Sequence, residues 1–431
     1  MTYILIFVAG LIALMVTGIH VATAIYLIGW FGDFAEAGLL RQMGGTVAWN
    51  TVTEFLLVAI PLFILVGEVL LRSGLADKMY TALAVWTRRI PGGLLHTNIA
   101  ACALFSATSG SSVATAATIG TVAMPSLRER GYSESLTLGS IAAGGTLGIL
   151  IPPSINMIIY GALTGASIGR LFAAGIVPGI LLAITMSAII CFIAVVRPRI
   201  AGRPELRSTV GERMRRLIDL VPAIIIFAVI MGSIYSGLAT PTEAGALALI
   251  TVLLLSAWSG KLTIAMLHDA FRATVRTTAM VMLILVAAFT LNFIIGFLGI
   301  PQQLSAVVAD LGLSPYAMIW LLVLFYLILG CFLEAVSMMV TTIAIVAPLV
   351  ESLGFDLVWF GIFMTIMMEL ALITPPVGLN LYVVQSIRDK GGSIYDVFIG
   401  VFPFVVAMLL VITLLIYFPQ IALWLPDKMF G

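Results

Sequence analysis

Long apolar blocks separated by short polar connections follow one another along the whole chain. A helix needs about 20 apolar residues to cross the hydrocarbon core of a bilayer. By that measure the pattern predicts membrane-crossing helices at 2–17, 19–31, 51–71, 134–164, 169–196, 217–236, 241–258, 275–298, 357–387 and 395–425. The predicted fold is therefore an all-α polytopic membrane protein, in which residues 1–31 form either two spans or one tilted helix.

Two further apolar blocks, 93–127 and 314–350, are interpreted differently. Each is long enough for two segments of half the membrane depth, and each carries small or polar residues at its middle. A chain that turns inside a bilayer frees backbone polar groups, which are tolerated where they line a cavity. We therefore predict a re-entrant helical hairpin in each block.

Composition supports a membrane protein and excludes other classes. Hydrophobic residues make up 61% of the 431 residues and charged residues 10%, whereas soluble domains are about 25% charged. The formal net charge of +1 gives no overall field that would attract nucleic acid. The N-terminal block has no basic leader and no small-residue cleavage site, so we expect it to be a retained membrane segment.

Enzyme motifs are missing from the sequence. The histidines are scattered without a His-Glu-x-x-His zinc pattern, and no G-x-x-x-x-G-K-[ST] loop for ATP is present. Cys102, Cys191 and Cys331 lie in apolar stretches and match neither a disulfide framework nor a metal-ligand spacing. We therefore expect the protein not to be an enzyme, and the cysteines to be packing residues.

Basic residues collect on one side of the predicted membrane, as is typical of cytoplasmic loops. With the N-terminus placed on the periplasmic side, all of the 21 Lys and Arg residues except Arg41, Arg170 and Lys428 fall on the inner side. This asymmetry supports both the number of spans and the orientation.

The two parts of the chain on either side of the Arg-rich segment 197–216 resemble each other. Four pairs share a spacing of 223: Pro125 with Pro348, Gly131 with Gly354, Pro152 with Pro375 and Pro153 with Pro376. Each part, 1–196 and 217–431, has five predicted crossings and one hairpin, so their orientations in the membrane are opposite. This predicts an inverted-topology repeat, which is common in secondary transporters. The alternative is an old duplication kept for packing alone.

Both repeats contain a Pro-Pro pair inside an apolar block, in GGTLGILIPPSIN (144–156) and MELALITPPVGLN (368–380). Proline has no N–H and clashes with the preceding turn, so two in succession break a helix. The segments 134–164 and 357–387 are therefore predicted to be broken helices near the bilayer centre. A cation such as Na⁺ can satisfy the freed carbonyls, and a plain proline kink is the alternative.

The hairpin tips carry the polar chemistry. The first tip, FSATSGSSVATAATIG (105–120), is rich in Ser, Thr and Gly, which suits close approach of backbone to an ion or a carboxylate. The second tip contains Glu334, which matches Ser111 at the spacing of 223. An acid at this depth indicates a functional site.

Other acids have open roles in the sequence. Glu243 follows Thr-Pro-Thr and suits a helix cap, and Glu369 can be a partnered structural acid. Glu54 and Glu68 can face a partner or a polar interior. The sequence does not decide between these roles.

Four motifs in this order, FSATSGSSVATAATIG, GGTLGILIPPSIN, GLATPTEAGA and ITPPVGLN, resemble the large membrane subunit of the tripartite ATP-independent periplasmic (TRAP) transporters. The resemblance covers essentially the whole chain. It implies a subunit of the bacterial inner membrane that imports an organic acid, such as a C4-dicarboxylate or a sialic acid, with about two or more Na⁺ ions. It also implies two separate partners, a periplasmic substrate-binding protein and a small four-helix membrane subunit. The hairpins and broken helices would form a transport domain that moves as an elevator against a scaffold of the remaining helices.

The same resemblance implies the site residues. The first sodium site would use Ser106, Ser109, Ser111, Gly148, Leu150 and Pro153, and the second Gly330, Ala371, Thr374 and Val377. Substrate would lie near Ser111, Asn156 and Glu334. Relatives often have Asp in place of Glu334 and Gly in place of Ala371. Alternative functions are a stand-alone sodium/dicarboxylate symporter, a channel or membrane scaffold, and, more distantly, an intramembrane serine protease.

Overall fold

The computed structural model describes residue 10 and residues 19–36, 39–200, 202, 209–310, 312–388 and 391–430. All of the regular secondary structure in these residues is helical. The predicted span 2–17, apart from Gly10, and most of the central part of the 197–216 linker lie outside the described residues.

The helices of the first half include the predicted blocks that the structure describes and two additional helices, Leu39–Thr53 and Leu75–Thr87. They are α1 (Val21–Glu36), α2 (Leu39–Thr53), α3 (Ala59–Arg72), α4 (Leu75–Thr87), α5 (Leu94–Ser109), α6 (Ser112–Glu129), α7 (Glu134–Thr146), α8 (Ile155–Thr164) and α9 (Ile168–Val196). A 3₁₀ turn, Phe55–Val58, precedes α3, and another, Leu147–Ile149, follows α7.

The second half begins in the linker. Its helices are α10 (Val210–Arg216), α11 (Val221–Tyr235), α12 (Pro241–Trp258), α13 (Ile264–Phe297), α14 (Ile300–Asp310), α15 (Pro315–Gly330), α16 (Ala335–Ser352), α17 (Leu357–Ile373), α18 (Leu379–Ser386), α19 (Ile394–Tyr417) and α20 (Gln420–Phe430). Short 3₁₀ turns lie at Pro198–Ile200 and Leu217–Leu220.

Seven helical segments in the described part of the chain are long and apolar enough to cross a membrane: Phe55–Arg72, Ile168–Val196, Gly211–Tyr235, Pro241–Trp258, Ile264–Phe297, Ala335–Ser352 and Ile394–Tyr417. Shorter apolar helices include Ile155–Thr164 and Leu357–Ile373. The prediction of an all-helical membrane protein is confirmed.

Four helices, α2, α4, α10 and α14, were not predicted, because their sequences carry polar residues and are shorter than a membrane span. The helix α13 also begins eleven residues before the predicted 275. Thr263 caps it by accepting a hydrogen bond from the Met266 amide at 3.1 Å. Polar residues after the cap do not interrupt a helix that extends beyond the apolar layer.

The same order of elements occurs in both halves: a helix pair, an interrupted helix and a long helix. In the first half these are α5 with α6, α7 with α8, and α9. In the second half they are α15 with α16, α17 with α18, and α19. Each interruption contains the Pro-Pro pair, and both Pro-Pro peptide bonds are cis.

The two halves pack directly against each other. The helices α7 and α19 touch backbone to backbone, since a Cβ atom added to Gly139 would overlap the carbonyl of Gly400. At the ends of these helices Arg388 donates to Glu134 at 2.7 Å and to Asp396 at 2.9 Å. The Glu134 carboxylate, and to a smaller degree that of Asp396, raises the pKa of Arg388 above its usual range. The halves are therefore joined by close packing and by the ion pair between Arg388 and Glu134.

Gly139→Ala is expected to force α7 and α19 apart, because a methyl group has no space beside Gly400. Overpacking costs about 1–3 kcal/mol or more. We expect the purified protein to melt several degrees lower in a thermal unfolding assay. Gly232→Ala in α11 is the matched control, since nothing lies within 4 Å of its added Cβ. Equal melting temperatures for the two variants would contradict the close contact.

Candidate functional site

The first hairpin turns within two residues. The helix α5 ends at Ser109, and Gly110 has the left-handed conformation with φ of 62°. Ser111 is extended and caps α6, because its hydroxyl accepts a hydrogen bond from the Ala114 amide at 3.4 Å. The reversal therefore depends on a glycine followed by a capping serine.

Thr115 ties the two sides of this tip together. Its hydroxyl donates to the Ser111 carbonyl at 2.7 Å and lies 3.1 Å from the Ser109 hydroxyl. Thr115 and Ser109 are buried. The oxygen atoms of the tip are thus held in one arrangement by side chains of the tip itself.

The tip contacts the interruption of the same half at two glycines. A Cβ atom on Gly148 would lie 2.8 Å from the carbonyl group of Ser111, and one on Gly110 would lie 2.9 Å from the carbonyl oxygen of Pro153. Only glycine allows approaches this close. The structure therefore brings together Ser111, Gly148 and Pro153 of the predicted first sodium site, with Ser109 on the adjoining end of α5.

Ser106 and Leu150, the other two residues predicted for this site, are also buried. The Ser106 hydroxyl has no hydrogen-bond partner among the described residues. The Leu150 carbonyl oxygen lies close to α9, since a Cβ on Gly175 would be 2.5 Å away. Ser106 therefore offers a free oxygen one turn before the tip, and Leu150 lies on the side of the interruption that faces α9.

The second hairpin meets its interruption in a similar way. A Cβ atom on Gly330 would lie 2.6 Å from the methyl carbon of Ala371, so glycine at 330 makes room for alanine at 371. Thr374 ends α17, and its hydroxyl donates to the Leu370 carbonyl at 2.6 Å. Val377 follows in the exposed part of the interruption. The structure joins Gly330 to Ala371, with Thr374 one turn further along.

Glu334 has a structural role that the sequence did not reveal. Its carboxylate caps α16 by accepting hydrogen bonds from the amide of Ser337 at 2.7 Å, the hydroxyl of Ser337 at 2.6 Å and the amide of Val336 at 3.2 Å. Ser111 caps α6 at the matching position of the first hairpin. The pair related by the spacing of 223 is therefore a pair of helix caps.

The two asparagines that follow the interruptions differ in their contacts. Asn156, near the start of α8, is buried and has no hydrogen-bond partner among the described residues. Asn380, near the start of α18, donates to the Ser112 hydroxyl at 2.8 Å and to the Ala142 carbonyl at 3.1 Å. The sequence prediction named Asn156 and missed Asn380, although both end the two related Pro-Pro motifs.

The remaining acids fall into separate classes. Glu243 forms a capping box with Thr240, which is one of the roles that the sequence left open, and Glu68 pairs with Arg72. Glu54 borders an open cavity of about 840 Å³ that also contacts Asn292. Both carboxylate oxygens of Glu369 are buried without a hydrogen-bond partner in the described part of the chain, so the structure does not show the partnered role that the sequence left open.

The described residues contain no cluster of three or more His, Cys, Asp or Glu side chains that could hold a metal. The tips and interruptions instead offer backbone carbonyl and hydroxyl oxygens. Oxygen ligands suit hard cations, whereas thiolate and imidazole ligands suit zinc and copper. The donor set therefore fits an alkali cation better than a transition metal.

Similarity to known proteins extends over nearly the whole chain. Residues 4–421 match the family described as "Tripartite ATP-independent periplasmic transporter, DctM component". The chain is 33% identical to the C4-dicarboxylate TRAP transporter large permease protein DctM of Rhodobacter capsulatus, and the alignment covers 97% of both chains. It is 32% identical to the sialic acid TRAP transporter large permease protein SiaM of Vibrio cholerae, over 88% of both chains.

A solved structure shares the fold at low sequence identity. The YdaH transporter of Alcanivorax borkumensis superposes with a TM-score of 0.62 at 17% identity, over 91% of this chain and 90% of that one. The family match covers nearly the entire sequence. The chain belongs to the DctM family of TRAP transporter large permease subunits.

Proposed function

We propose that this permease subunit imports an organic acid together with sodium ions. The observation that carries the proposal is the contact of each hairpin tip with the interruption of its own half, through Gly110 and Gly148 in one half and Gly330 and Ala371 in the other. In the first half the contacts place the carbonyl groups of Ser111 and Pro153 at a point where helices end, and in the second half the contact lies at the end of α15 and near the end of α17. Sodium is a hard cation that carbonyl oxygens can bind.

In the first proposed sodium site the ligands are Ser106, Ser109, Ser111, Gly148, Leu150 and Pro153. The unpartnered hydroxyl of Ser106 supports this assignment, because a buried hydroxyl without a partner costs about 1–3 kcal/mol. In the second proposed site the ligands are Gly330, Ala371, Thr374 and Val377. Neutral oxygens there would bind a monovalent cation without adding negative charge beside an anionic substrate.

The substrate is proposed to bind beside Ser111, Asn156 and Glu334. The helices α6, α8, α16 and α18 begin next to the tips and interruptions, and helix N-termini favour carboxylates. The amide of Asn156 is uncommitted and can donate to an anion. Since the Glu334 carboxylate accepts three hydrogen bonds at its own helix end, its charge is partly compensated.

The names of two of these relatives support a carboxylate as cargo. The relative from Rhodobacter is named for C4-dicarboxylates and the one from Vibrio for sialic acid. Both cargoes carry a carboxylate. We propose a substrate of this chemical class for the present chain.

The proposed movement is an elevator built from two inverted repeats. The close packing of α7 on α19, together with the packing of α9 on α5, α17 and α19, argues that α9 and α19 move with the hairpins and interrupted helices, and that they do not belong to the scaffold. The moving part would then be α5–α9 with α15–α19. The 840 Å³ cavity would lie on the boundary with the scaffold. Glu54 and Asn292 line one side of this cavity, and the α8–α9 connection lines the other.

The proposed complex places this subunit in the bacterial inner membrane with a periplasmic N-terminus. Its partners would be a small four-helix membrane subunit and a periplasmic substrate-binding protein, both separate polypeptides. A stand-alone symporter is the second candidate, which the sequence left open.

Uptake into proteoliposomes tests the function. The permease would be reconstituted with the small subunit, and uptake of labelled C4-dicarboxylate or sialic acid measured with the binding protein present. We expect saturable uptake with an inward sodium gradient and background uptake with potassium. Uptake that is equal in both salts would refute sodium coupling, and uptake without the binding protein would favour the stand-alone symporter.

Glu334→Gln and Ser111→Ala are expected to lower uptake more than protein abundance, because both change a tip that contacts substrate and ion. Asp356→Asn is the matched control for Glu334→Gln, since Asp356 caps α17 through the amides of Val358 at 2.6 Å and Trp359 at 3.1 Å. If Glu334 were only a helix cap, Glu334→Gln and Asp356→Asn would lower the melting temperature by similar amounts and would lower uptake by similar amounts. We expect a raised KM for Glu334→Gln alone.

Gly110→Ala is expected to abolish most uptake, because the added methyl group would press on the Pro153 carbonyl within the proposed sodium site. Gly131→Ala is the control. Both glycines have left-handed backbone, with φ of 62° and 70°, where a side chain costs about 1–2 kcal/mol, but nothing lies within 4 Å of a Cβ at 131. Equal loss of sodium-dependent uptake in both variants would exclude a specific role for the contact.

A further inference from the structure

Asn380 forms a polar link from the second half to the hairpin tip of the first. It is fully buried, and its amide nitrogen donates to the Ser112 hydroxyl at 2.8 Å and to the Ala142 carbonyl at 3.1 Å. Ser112 is the first residue of α6 and is itself buried. The helix α18, which carries Asn380, also packs on α6 and α7.

Both ends of this link lie next to proposed ion ligands. Ser112 follows Ser111 directly, and a Cβ on Gly148 would lie 2.8 Å from the Ser112 amide nitrogen. On the other side, Asn380 lies three residues after Val377, and the Gly378 amide between them donates to the Thr374 carbonyl at 3.1 Å. A shift of the second interruption would therefore move Asn380. The hydrogen bond from Asn380 would transmit this movement to Ser112.

The described residues show no reciprocal link. The position of Ser112 corresponds to Ala335 at the spacing of 223, and alanine has no hydroxyl. The helix α8, which carries Asn156, packs on α16, which begins at Ala335. Asn156 is left without a hydrogen-bond partner among the described residues, so the polar connection runs in one direction only.

Packing alone does not account for the choice of asparagine at 380. The Asn380 side-chain oxygen is buried and has no hydrogen-bond partner in the described chain. An unsatisfied buried polar atom is destabilising, so an apolar side chain would serve packing better. An asparagine at 380 differs from an apolar side chain in donating two hydrogen bonds, to Ser112 and to Ala142.

We propose that Asn380 is a positioning residue that couples the two sodium sites, by holding the first hairpin tip in register with the second interruption. The inference rests on the proposed function. An ion that orders the second interruption would fix the position of Asn380. The first tip would then lose less conformational entropy when it binds its own ion. Sodium binding is therefore cooperative, and cooperativity depends on the hydrogen bond from Asn380 to Ser112.

Ser112→Ala tests the link because it removes the acceptor and leaves Asn380 in place. Ser140→Ala is the matched control: the Ser140 hydroxyl accepts from the side-chain amide of Asn98 at 2.9 Å, within the first half. Sodium dependence would be measured as initial uptake rate in proteoliposomes and, independently, as the rise of the melting temperature of the purified protein with sodium concentration. The second readout reports ion binding even if uptake fails.

We expect wild type and Ser140→Ala to share one Hill coefficient above 1. For Ser112→Ala the Hill coefficient should fall towards 1 and the half-saturating sodium concentration should rise about three- to tenfold, as expected for the loss of one buried hydrogen bond. Ser112→Thr, which keeps a hydroxyl, should restore both values. It also shows whether any loss in the alanine variant comes from misfolding.

Several results would overturn the coupling. These are an unchanged sodium curve in Ser112→Ala, the same change in Ser140→Ala, failure of Ser112→Thr to restore the curve, or a Hill coefficient of 1 in the wild type. A wild type whose uptake and melting temperature are both indifferent to sodium would refute the proposed function itself. The two failures are therefore distinguishable.

Discussion

Backbone groups that leave a helix inside a bilayer must find other partners, since each unsatisfied group costs several kcal/mol in hydrocarbon. In this protein the two Pro-Pro pairs end α7 and α17 within the apolar part of the chain. The hairpin tips lie against these interruptions, at contacts that only small residues permit. The rest of the arrangement depends on this requirement: glycines at 110, 148 and 330 allow the contact, and serine or glutamate caps the helices that restart beside it.

Much of the fold was predictable from the sequence because hydrophobic length and proline placement are strong local signals. The apolar blocks predicted the long helices, and the proline pairs predicted where two of them break. The helices α2, α4, α10 and α14 were missed, because they are short and mixed in polarity, so no membrane-length pattern marks them. The long extension of α13 was missed for a related reason: apolar length indicates where lipid begins, and a helix can continue past that point.

The site was predictable as a set of segments but less so as a set of contacts. The composition of the first tip indicated close backbone approach, and the structure places Gly110 and Gly148 in that role. The sequence could not show that the Glu334 carboxylate is engaged by the first turn of α16, because a cap depends on backbone direction. It also gave no sign that Asn380 reaches Ser112, since the two residues are 268 positions apart.

The differences between the related halves matter as much as their likeness. At the two capping positions one half has a neutral hydroxyl, Ser111, and the other a carboxylate, Glu334. At the next position one half has the hydroxyl of Ser112 and the other the methyl group of Ala335. The first difference makes the charge of the two tips unequal, and the second engages one asparagine in the framework while leaving Asn156 uncommitted. Under the proposed function the two halves would have separate tasks: Asn380 would hold the halves in register, and Asn156 would be available to a ligand.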